Sequence, residues 1–139
     1  MTTPDWIFRG ADAAEPDLRA YLAAVAAEVG VGPESATVDL GPPLSAYLAV
    51  DHRLPGHPDR DAALLWSERY GWAVAVETHS REDLIIVGHL GAPAVPPPAR
   101  VARFLADAVR GGGASPQPPP VDPHAARLLA AYRPVPVAS

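Results

Sequence analysis

The chain has 139 residues, enough for one domain with a sizeable core. It contains no cysteine and no lysine, so disulfides, zinc–thiolate centres, cysteine nucleophiles, lysine Schiff bases and a P-loop lysine are all excluded. A net charge of −5 argues against sequence-independent binding of nucleic acid, and no apolar run approaches the ~20 residues that a membrane helix needs.

In chain order, residues 1–15 read as an arm whose large apolar group is Trp6, Ile7 and Phe8. No basic region precedes a long apolar one there, so no secretion signal is read and the expected compartment is the cytoplasm. The α+β domain is expected over 16–110. It opens with a helix from Pro16 to Val29, where proline suits the first helical position and Gly30 the C-terminal cap. Leu18, Tyr21, Leu22, Val25 and Val29 recur at helical spacing and form its apolar stripe.

Five strands are predicted at 36–40, 44–50, 62–68, 72–78 and 84–90. Leu44, Ala46, Leu48 and Val50 alternate with Ser45, Tyr47 and Ala49, while Leu84–Leu90 is apolar on both faces. Ser80-Arg-Glu-Asp83 reads as the polar turn before the fifth strand. The third and fourth strands form a hairpin around Arg69-Tyr70-Gly71, with Glu68 expected opposite Trp72, Trp66 opposite Val74 and Leu64 opposite Val76. That register puts both tryptophans on one face. A second helix is predicted over 97–110, with Val101, Phe104, Leu105 and Ala108 facing inward.

Short connections favour antiparallel neighbours, which predicts a meander. The expected fold is a two-layer α+β sandwich: a five-stranded antiparallel sheet with both helices on its tryptophan face. Residues 111–123 read as a Gly/Pro-rich linker, flexible in its glycine half and extended in its proline half. Residues 124–139 carry a short helix in which Ala125, Leu128, Leu129 and Tyr132 share a face. This tail holds two arginines and no acid, so it suits an acidic body, its own or a neighbour's.

Three segments taken together, Leu54-Pro-Gly-His-Pro-Asp-Arg-Asp61, Trp66-Ser-Glu-Arg-Tyr-Gly-Trp72 and Ala75-Val-Glu77, resemble an actinobacterial family known as domain of unknown function 6292. The resemblance covers about residues 16–110. It implies a bacterial, cytoplasmic protein and brings no activity, cofactor or catalytic residue with it.

Two surfaces stand out as candidate sites. If both helices cover the tryptophan face, the other face carries Tyr47, Ala49, Leu65, Ala73, Ala75, Ile85 and Val87, with Ser45, Ser67 and His89. Such a face is too apolar to be simply solvated, and contiguous apolar surface marks interaction sites. The first expectation is therefore a non-catalytic interaction or regulatory domain that forms a homodimer or holds a protein partner. Its contacts would be Tyr47, Leu65, Ile85 and Val87 on the sheet and Leu128, Leu129 and Tyr132 on the tail. The second surface is the loop Asp51–Asp61, where His52, His57, Asp59 and Asp61 offer imidazole and carboxylate to a divalent metal or small ligand; the second expectation is a ligand- or metal-binding domain at this loop, with an enzyme left open as one form of it. Ser45 or Ser67 with His89 and the acids Glu68 and Glu77 form no spacing that catalysis requires, so no cofactor and no catalytic set is expected.

Overall fold

A computed structural model describes residues 5–78 and 83–134, with side chains from Ala14 onward. Helix α1 runs Asp5–Val29, followed by a 3₁₀ turn at Pro33–Ser35. The strands are β1 (Ala36–Asp39), β2 (Ser45–Ala49), β3 (Ala62–Ser67), β4 (Gly71–Glu77) and β5 (Leu84–His89). Helix α2 (Pro98–Val109), the short helix α3 (Ala125–Leu129) and a 3₁₀ turn at Ala130–Tyr132 follow. The sheet order is β1-β2-β3-β4-β5, antiparallel throughout, which is the expected meander.

The core lies between the sheet and the helices. Leu18, Tyr21, Leu22 and Val25 of α1 and Val101, Phe104 and Leu105 of α2 are buried with Leu48, Leu64, Trp66, Trp72, Val74 and Val76 of the sheet. Both stripes follow the helical periodicity in the sequence. The indole N–H of Trp72 donates to the Tyr21 hydroxyl at 3.0 Å, and that hydroxyl donates to the carbonyl of Pro96 at 2.6 Å. Trp66 Nε1 donates to the carbonyl of Ala94 at 2.8 Å. Each tryptophan thus buries its ring with its one donor satisfied, Trp66 holding the 91–97 connection directly and Trp72 through the Tyr21 hydroxyl.

Three expectations are revised. First, the helix begins at Asp5, not Pro16; the alanine-rich stretch before Pro16 favours helix, and the proline sits inside it. Residues 5–15 therefore form no separate arm, and the side chains of Trp6, Ile7 and Phe8 lie outside the described residues. Second, the hairpin pairs Ser67 with Gly71, Trp66 with Trp72 and Leu64 with Val74. The turn is Glu68-Arg69-Tyr70, two places from the expected register, so every side chain keeps its face because the strand period is two. Gly71 closes the turn at φ +72°, and a Cβ there would lie 2.9 Å from the Cα of Ala94. Glycine is required twice over, by its dihedral and by the chain above it. Third, the linker is pinned. Ser115 exchanges backbone hydrogen bonds with His89 at 2.7 and 2.9 Å, and Asp122 donates its N–H to Arg69 while its Oδ2 accepts from the N–H of Ala94. The expected polar turn at 80–83 lies outside the described residues except for Asp83, whose carbonyl accepts from both N–H and Oγ1 of Thr78.

Candidate functional site

The tail packs on the helix layer, and the second sheet face stays open among the described residues. Leu129 and Ala125 are buried in the main core, and the ring of Tyr132 stands edge-on to Tyr21 at 4.7 Å. Arg133 forms a two-pronged pair with the buried carboxylate of Asp17, at 3.1 and 3.2 Å. Leu128, Leu129 and Tyr132 are thus spent within the chain, against the expectation that they belong to an interaction surface. Sequence periodicity found the face they share but carries no information on what that face meets.

The open face has two halves. On one, the hydroxyl of Tyr47 donates to Glu77 Oε1 at 2.6 Å, reaching from β2 to β4. The ring therefore crosses β3 above Ala63, and the small side chains Ala63 and Ala75 are fully buried beneath this arch. Burial and the neighbouring Glu77 carboxylate push the Tyr47 phenol up to about 12, so it remains a hydrogen-bond donor at neutral pH. The other half is a groove of about 360 Å³ that crosses the strands beside the β3–β4 turn. Leu65, Ala73 and Gly71 form its floor, Tyr70 and Ile86 stand at its margins, and Thr37, Asp39, Ser45 and Ser67 supply a polar end. Tyr47 and Leu65 are where the sequence puts them.

Ile85 and Val87 are not. A bulge between Val74 and Ala75 pairs Ala75 with Ile86 and Val76 with Ile85, while Gly88 stands opposite Val74. Ile85 therefore shares the parity of Val76, on the helix side. Val87 lines a hollow on that side with Val74, Leu54 and Ala108. Ile86 takes the open-face position instead. Alternation could not reveal this, because β5 is apolar at every position from Leu84 to Val87 and offers no polar residue to fix parity. Tyr70 was missed for another reason: as a turn residue it carries no strand parity at all.

His89 lies at the β5 end of the groove, opposite Ala73. Its Nδ1 is buried with no hydrogen-bond partner among the described residues, and burial holds the imidazole below its ordinary value of 6.5. The folded state thus favours neutral His89. That contribution to stability is present above pH 6.5 and is lost as pH falls through the lower folded value. Urea titrations at about pH 7.5 and about pH 5 should show a smaller acid loss in His89→Gln than in the native protein. Equal losses would mean that the ring gains a partner on protonation.

The alternative loop does not assemble a ligand set. Arg53 donates to the carbonyl of Pro58 at 2.8 Å and lies 3.5 Å from Asp61, while Leu54 and His57 bridge across the Pro55-Gly56 turn. Arg53 thus pairs with Asp61, one of the four candidate ligands His52, His57, Asp59 and Asp61. Among the described residues, no three His, Cys, Asp or Glu side chains are grouped to hold a metal. Ser67 Oγ accepts from the N–H of Arg69. Glu68 Oε1 accepts from the N–H of Leu44, at the opposite end of the hairpin from Glu77.

A family model described as a family of unknown function (DUF6292) matches residues 21–107. The chain belongs to this family. The DUF6292 segment runs from Tyr21 in α1 nearly to the end of α2, so it contains the whole sheet, the groove and the tryptophan network. The tail that docks on α1 lies beyond it. No curated protein and no solved structure matches the chain. None of its helices, among the described residues, is long and apolar enough to cross a membrane.

Proposed function

We propose that this DUF6292 chain is a non-catalytic protein-interaction domain of the cytoplasm that works as a homodimer and holds an apolar segment of a protein partner on its open sheet face. One observation supports this reading above the others: the sheet's second face keeps an apolar groove that, among the described residues, neither the tail nor either long helix covers. Its volume is at the lower end of ligand-sized sites and suits one or two large side chains. The lining is apolar with polar residues gathered at one end, which fits an apolar anchor with a polar flank.

Selection of displayed peptides on the immobilised protein tests the face. The expected result is enrichment of sequences with an aromatic or branched aliphatic anchor, with binding reduced at least about tenfold by Leu65→Asp, the loss of one buried anchor. A selection that enriches the same peptides on Leu65→Asp would remove the groove from the reading. A small ligand with a mostly apolar body is the second reading, favoured by the apolar lining of the same groove. Native mass spectrometry separates the two, since a retained small molecule supports the ligand and a clean apo dimer supports the partner.

A further inference from the structure

β5 ends the sheet, and its free side is unusually bare. Ile85, Ile86 and Val87 are 46, 50 and 38 % exposed, three consecutive branched residues on an edge strand. Among the described residues, no charge or proline within Leu84–Gly88 and no covering helix protects them, and the outer side is met at His89, by Ser115. Natural sheets blunt such edges with one of those devices, because an unpaired apolar edge recruits another strand.

The ladder geometry specifies which strand. Asp83 and Leu90 bond inward to β4, at Thr78 and Trp72, whereas His89 bonds outward to Ser115. Antiparallel alternation, with the bulge absorbing the odd residue, turns the N–H and C=O of Leu84 and Ile86 outward. None of these groups has a partner beyond β4 among the described residues. An antiparallel strand centred on Ile85 would meet them all, provided that it offers outward groups one place to either side of its own centre. β5 itself does so. Under a two-fold axis at Ile85, Leu84 of one copy pairs with Ile86 of the other and each pair exchanges both hydrogen bonds, so the interface is isologous and closed.

We infer that two copies of this chain join edge to edge through β5, in antiparallel register about Ile85, into one continuous sheet. This rests on the homodimer reading above and specifies its geometry. It leaves both grooves open, each adjoining the seam at Ile86, which pairs through its backbone while its side chain stays at the groove margin. The 114–115 segment that lies along His89 bounds the pairing, and by the two-fold axis it does so at both ends.

The cysteine-free sequence gives a direct test. Residues facing each other at a non-hydrogen-bonded antiparallel site have Cα atoms about 4.5 Å apart, within disulfide range. Ile85→Cys should therefore form a covalent dimer under mild oxidation. It should form on the order of a hundredfold faster than Val121→Cys, an exposed control, because pairing raises the local thiol concentration from micromolar toward millimolar. Ile86→Pro removes an outward N–H without breaking a bond to β4, so it should give a folded monomer by circular dichroism and light scattering. Cross-linking of Ile85→Cys no faster than the control, with a dimer still present by light scattering, overturns the edge geometry and leaves the homodimer standing. A native protein that is monomeric at all concentrations overturns both.

Discussion

Replacing Tyr21 by phenylalanine should cost about 3 kcal/mol, although it removes a single oxygen atom. That oxygen accepts from Trp72 Nε1 and donates to the carbonyl of Pro96, and all three groups are in the interior. Burial pushes the Tyr21 hydroxyl well above the usual phenol range, so it stays protonated and keeps both roles. In the variant, the indole N–H and the Pro96 carbonyl are both left without partners. Each unsatisfied buried group costs about 1–3 kcal/mol, whereas the lost hydrogen bonds alone would be worth less. The packing of the ring against Trp72 and Tyr132 is unchanged, since Phe fills the same space. Urea denaturation followed by tryptophan fluorescence should show a lower midpoint with an unaltered slope. A loss below about 1 kcal/mol would mean that water reaches the site and takes over the hydroxyl's bonds.

The same network shows how far the sequence could be read. Hydrophobic periodicity names Tyr21, Trp66 and Trp72 as core residues, and the hairpin pattern puts both tryptophans on one face. Neither says that the three polar atoms of these rings converge on the 91–97 connection. Parity in the hairpin was legible because an even slip leaves the faces unchanged; the register itself depended on whether Gly71 ends the turn or opens the strand. Its close approach to Ala94, a contact across 23 positions of chain, decided that. In β5 the run of apolar residues hid the bulge, and with it the exchange of Ile86 for Ile85 and Val87. The open face was legible as a whole because Ser45, Tyr47 and Ala49, then Ala63, Leu65 and Ser67, then Ala73 and Ala75 fall at period two in three strands. Its division into an arch and a groove was not, because it turns on one hydrogen bond between Tyr47 and Glu77.

The tail is the largest feature that composition alone misdescribes. Its linker reads as loose and its helix as too short to stand alone, yet each is held at defined points. An isolated helix of this length is marginal in water, so its order has to come from tertiary contacts. Leu129 supplies the main one, being 1 % exposed and within the core of α1 and the sheet. Leu129→Ala should therefore cost about 3 kcal/mol, the usual range for a buried leucine whose cavity cannot collapse. Ending the chain at Pro123 should cost more, since Ala125 and Tyr132 are lost as well and the Asp17 carboxylate gives up Arg133, its partner among the described residues. Asp17 is 3 % exposed, so the truncated protein must either hydrate it by opening the end of α1 or fold with an unpaired charge. Restoring stability by adding Asp17→Asn or Asp17→Leu to the truncated chain would attribute the excess loss to that charge. If truncation instead leaves the urea midpoint within error of the full chain, the tail contributes no net stability where it lies, and its apolar face is available to a different surface.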